Sequence, residues 1–140
     1  MKIQLQRGID PWQGHGHSEM VEQYHYHDMP LIGVLVQDGA EYLFRCETGE
    51  IEPVNFWTYT PLTPSARKAL ERTEGDAFDD AVDELAENAE ALAIAIDGYG
   101  IVVWNHLDAD NGREATVKML MNAAPPRGRG GIVGAREGAI

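Results

Sequence analysis

Four of the five histidines fall in one short segment, as His15-x-His17, seven further residues, and His25-x-His27 with Asp28 behind them. With Tyr24 to Asp28 extended, His25 and His27 project from one face about 7 Å apart, a spacing from which both imidazoles reach one transition metal. His15 and His17, or a carboxylate from Glu19 or Glu22, would complete the set, and the implied cofactor is a divalent transition metal. The competing reading is a polar loop whose histidines share no task.

The His-x-His pair with its trailing acid resembles the first metal motif of cupins. In that motif a glycine follows the acid, whereas here Met29 follows Asp28, and the downstream G-x5-P-x-G-x2-H-x3-N pattern is missing, so nothing of the cupins is carried over. Cys46, the single cysteine, lies on an expected strand without a His-Asn or His-Asp frame, and reads as a small apolar group rather than a nucleophile. No phosphate-binding glycine loop, GxSxG elbow, CxxC or HExxH is present. The balance therefore points away from an enzyme, and no catalytic residue is assigned.

Charge narrows the partners. With 11 basic against 23 acidic residues the net charge is −12, which opposes binding to duplex nucleic acid. From Glu71 to Glu90 nine carboxylates stand against one arginine, Arg72. Such a run is ordinarily a solvated helix face; the sharper alternative is an acidic DNA mimic that blocks a nucleic-acid-binding protein. Arg127, Arg129 and Arg136 among glycines resemble an RGG-like fragment, a weak anchor on so acidic a chain. The N-terminus lacks the apolar core of a signal peptide, and no run approaches a membrane span, so a cytoplasmic protein with no membrane partner is expected.

The stretch from Leu31 to Leu62 has the densest strand signal. Leu31–Val36, the turn pair Asp38-Gly39 and Glu41–Cys46 predict a β-hairpin, with Pro30 opening the first strand. A third strand over Val54–Thr60 places Phe56 on one face and Trp57 and Tyr59 on the other. Trp12, Trp57 and Tyr59 then either line a partner surface or enter the core, with Trp57 read as core. The alternation in Lys2–Gln6 predicts a further short strand joined to the sheet, and residues 8 to 30 read as a loop ending in a strand at Tyr24–His27. Thr63-Pro64-Ser65 predicts a capped helix to about Arg72, ended by Gly75. Asp76 would cap a second helix with Phe78, Val82, Leu85 and Ala89 inward. Leu92–Ile96, Asp97-Gly98 and Tyr99–Trp104 predict a second hairpin, the alternative being a helix continued through Ile96, and Arg113–Ala123 is read as helix over strand.

The sum is an α+β fold: a small antiparallel sheet built from β-hairpins, packed against one or two amphipathic helices. Residues 1–124 form the single domain, and residues 125–140 a flexible Gly/Arg-rich tail. The layout Asp28-x-Pro30-Leu31, Tyr42-Leu43-Phe44 and Trp57-x-Tyr59-x-Pro61-Leu62, with a short helix after it, resembles a set of small bacterial and phage-encoded proteins of no assigned function. That resemblance spans about residues 24–75, and implies a compact non-enzymatic module but no site residue. The leading expectation is a cytosolic interaction or accessory module with a protein partner, and the alternatives are the metal site at His15, His17, His25 and His27 and the DNA mimic.

Overall fold

The computed structural model describes residues 2–13, 18–26, 28–47, 54–96, 99–108 and 112–123. Six strands, β1 (Ser18–Tyr26), β2 (Pro30–Gln37), β3 (Ala40–Glu47), β4 (Val54–Leu62), β5 (Ala91–Ile96) and β6 (Tyr99–His106), form one antiparallel sheet in the order of the chain. Helices α1 (Pro64–Glu71) and α2 (Asp76–Ala86) lie between β4 and β5, and α3 (Arg113–Ala123) follows β6. The expected α+β class holds, with three helices on the sheet; residues 125–140 lie outside the described set.

Both hairpins form. Asp38 and Gly39 each have positive φ, 51° and 82°, the geometry whose twist matches that of the flanking strands. Strands β5 and β6 pair from Ala91 opposite His106 to Ile96 opposite Tyr99; Asp97 and Gly98 are outside the described residues. α1 starts as its residues dictate, since the Thr63 side chain accepts from the Ala66 N–H and Pro64 takes the first helical position. α2 departs from expectation. Its N-cap is Gly75, at φ 62°, with Asp76 already inside the helix, and its buried residues are Phe78, Val82 and Ala86. Leu85 is only partly buried, and Ala89 falls beyond the last turn.

Two further expectations are corrected. Lys2–Gln6 is not a strand, although Ile3 and Leu5 are buried. Their alternation comes from lying across the sheet rather than pairing in it. Conversely, β1 occupies much of what read as a loop. Its pairing with β2 shifts register after Met20, after Gln23 and after His25, so the period of two that announces a strand is broken three times.

The two sheet faces carry different covers. One face buries Leu35, Tyr42, Phe44, Cys46, Trp57 and Tyr59 beneath the N-terminal segment, with Ile3, Leu5 and Trp12 against them. Trp57 and Tyr59 are thus core residues, not a partner surface, and Trp12 packs on Trp57 with ring centroids 5.7 Å apart. The other face carries Val34, Leu43 and Leu62 under α1 and α2, and Leu92 and Ile94 under α3.

This segment, residues 2–13, is tied down along its length. Ile3 N donates to Glu90 Oε2 at 2.5 Å, and His106 Nε2 lies 2.8 Å from Ile3 O. Gly8 N and Ile101 N donate to Ile101 O and Ile9 O, at 2.8 and 2.9 Å, covering part of the β6 edge. In a flat sheet the β1–β2 turn and β6 would stand about 20 Å apart. Here the Tyr99 hydroxyl donates to Asp28 O at 3.2 Å, so the sheet curls around the N-terminal segment.

Candidate functional site

Arg45 pairs with Asp83 of α2 and, at 3.3 Å, with Glu47, which pairs in turn with Arg113 of α3. Arg67 of α1 bonds Glu41 at 2.7 Å and approaches Glu22 at 3.6 Å and Glu71 at 3.8 Å. The hydrogen bond to Glu41 does most to raise the Arg67 pKa. The Arg113 pKa is lowered, chiefly by burial and then by the like charge of Arg45. These arginines staple helices to strands and are committed to their carboxylates.

Cys46 is buried, and desolvation pushes its thiol up to about 12, so it is a protonated core group and not a nucleophile. Of the histidines expected to bind metal, only His25 is described; His15, His17 and His27 lie outside the described residues. His25 is exposed on β1 with its ring 5.8 Å from that of Phe78. Glu22, offered above as a ligand, is turned toward Arg67 instead. Among the described residues no group of three or more His, Cys, Asp or Glu side chains converges on a metal position.

What the fold does gather lies beside β1. A groove of about 360 Å³ runs between β1, the end of α1 and the start of α2, lined by Tyr24, His25, Glu71, Glu74 and Phe78 over a floor of Leu70. Tyr24 and Phe78 rings meet at 5.1 Å and 60°. Two consecutive strand residues meeting one ring contradicts simple alternation; the register shift between Gln23 and His25 permits it. The Tyr24 hydroxyl is enclosed beside the Arg67 guanidinium. Burial raises its pKa, and Arg67 opposes that shift. A second groove, about 640 Å³, lies across α1 between Ala40, Glu41, Pro61, Leu62, Arg67 and Lys68.

Beyond the groove, β1 is an edge strand, and among the described residues no strand covers its outer side. It exposes Met20, Val21 and Tyr26 at 36%, 42% and 61%. Next to it α2 exposes Asp76, Asp79, Asp80 and Glu84, and Glu87 is exposed at its C-cap. The sequence offered Tyr24 and His25 on one strand, Tyr24–His27, and Phe78 on a separate helix. Nothing short of the broken β1 register would have brought them together. Among the described residues no helix is long and apolar enough to cross a membrane. Compared with known proteins, the chain matches no family model, no curated protein and no solved structure.

Proposed function

We propose that this protein is a small non-enzymatic interaction module that binds a basic protein partner across the face formed by β1 and α2. The observation that carries the reading is the juxtaposition of an edge strand that no other strand covers among the described residues, with Met20, Val21 and Tyr26 exposed, and a helix whose exposed charges are all carboxylates. An open edge offers main-chain hydrogen bonds to an added strand, and the exposed side chains supply apolar area. Carboxylates on α2 steer a positively charged partner and repel acidic ones. The DNA-mimic form of the idea is a special case in which the partner itself binds nucleic acid, and competition by duplex DNA identifies it.

The test is affinity capture from a lysate of the source organism, with the intact protein beside a variant carrying Asp76→Asn, Asp79→Asn and Asp80→Asn. These side chains are exposed, so the variant should fold as the parent does, which circular dichroism checks. A basic protein captured by the parent, released by salt and lost with the variant is the expected result. Capture that is indifferent to the three substitutions, or no captured protein at all, removes the reading.

A further inference from the structure

The groove beside β1 has a chemical character of its own. Three rings, Tyr24, His25 and Phe78, share it with two carboxylates, Glu71 and Glu74. Glu71 lies 3.8 Å from Arg67, while among the described residues Glu74 has no ion-pair partner. An anion would meet both carboxylates with no lysine or arginine among the described lining residues to offset them, and the described residues offer no metal position. A neutral apolar group would leave Glu74 facing it unpaired. The occupant that satisfies rings and carboxylates together is an organic cation on a long stem, whose face can stack on aromatic rings while its donors fork onto an acid.

We propose that this groove receives an arginine side chain of the partner, carried on an extended segment that pairs with the outer edge of β1. The proposal rests on the reading above and deepens it by naming what is recognised. Geometry connects the two parts. A strand laid beside β1 projects alternate side chains to the sheet face on which Tyr24 lies, and therefore over the groove. At about 360 Å³ the space is near the lower limit of small-molecule sites, suited to one side chain rather than to a cofactor. The chain's net charge of −12 favours the same occupant from a distance.

The probe is an acetylated, amidated heptapeptide of alternating valine and threonine with one central arginine, titrated into the full chain and followed by calorimetry and amide chemical shifts. Twins with citrulline or lysine at the centre vary the cation alone. The arginine peptide should bind roughly tenfold more tightly than the citrulline peptide, with lysine between them, and should shift the amides of Tyr24, His25 and Phe78. Glu74→Gln should weaken the arginine peptide about three- to tenfold, whereas Glu114→Gln, exposed on α3 and outside the β1–α2 face, should leave it unchanged. Equal binding of the arginine and citrulline peptides overturns the proposal. So do equal losses in the two variants, which mark bulk charge attraction. If the peptide fails while a basic partner is still captured and still lost with the α2 variant, the groove assignment falls and the interaction reading stands. If capture fails as well, both fall.

Discussion

A methyl group added at Gly33 would collide with Glu22 O and lie 2.7 Å from Phe44 Cζ, because the Phe44 ring lies over Gly33 across the β2–β3 pair. Neither the β1 backbone nor a fully buried ring can retreat cheaply. Gly39 presents the opposite case, with open space around it but φ at 82°, so a Cβ there costs only backbone strain. Gly39→Ala should therefore destabilise by about 1 kcal/mol. Gly33→Ala should cost about 3 kcal/mol, through overpacking and a displaced edge strand. Urea denaturation of the two variants gives the order directly, and equal midpoints would mean that Phe44 does not depend on Gly33. Gly39 was legible because Asp-Gly between apolar runs is a turn signal with a mechanism. Gly33 was not, since within Leu31–Val36 it looks like a weak spot in a strand, and only the register places Phe44 opposite.

The elements that read correctly from sequence are those whose signals are local: the two hairpins, the Thr63 cap, the inward stripe of α2 through Phe78 and Val82, and α3 with Val117, Leu120 and Met121 against the sheet. The failures are elements whose conformation is set by something remote. β1 is held by β2 on one side only, and its bulges expose most of its side chains. Lys2–Gln6 alternates like a strand, but residues 2–13 act as a strap across the aromatic face. Of the candidate site, the acidic face of α2 was visible in the sequence, while the groove beside β1 was not, because it needs the bulge at Gln23–His25. The strap makes its own prediction. Ile3 is fully buried among the aromatic residues, so Ile3→Ala should destabilise by about 2–4 kcal/mol, as much as a central core truncation. Thermal or chemical denaturation measures this, and a loss below about 1 kcal/mol would show that residues 2–13 are an ornament on the sheet.

For the molecule as a whole, the buried acids on the aromatic face set an alkaline limit. Burial raises Cys46 from its usual 9.0 to about 12 and, with the charge of Glu90 adding to burial, Tyr42 from 10.0 to about 12. Tyr59 is also raised, by burial and then by Cys46. Below about pH 9 these groups are protonated whether the chain is folded or not, and their contribution to stability is complete. Between about pH 9 and 12 the unfolded chain releases these protons first, so stability should fall as pH rises. Denaturation midpoints at pH 8 and 10.5 should show a clear decrease, and a flat profile would mean that the thiol and phenols are not enclosed as described. The same face has a consequence for biosynthesis. Each described strand pairs with the next in sequence, with α1 and α2 intervening only between β4 and β5, so the sheet can assemble as the chain emerges. The strap is made first but contacts residues 87, 90 and 103 positions later at Glu90, Gly100 and His106. It must wait for β6, and until then Trp57 and Tyr59 lack their cover on a nascent sheet, which makes that interval the time when a chaperone or a neighbouring chain competes for them.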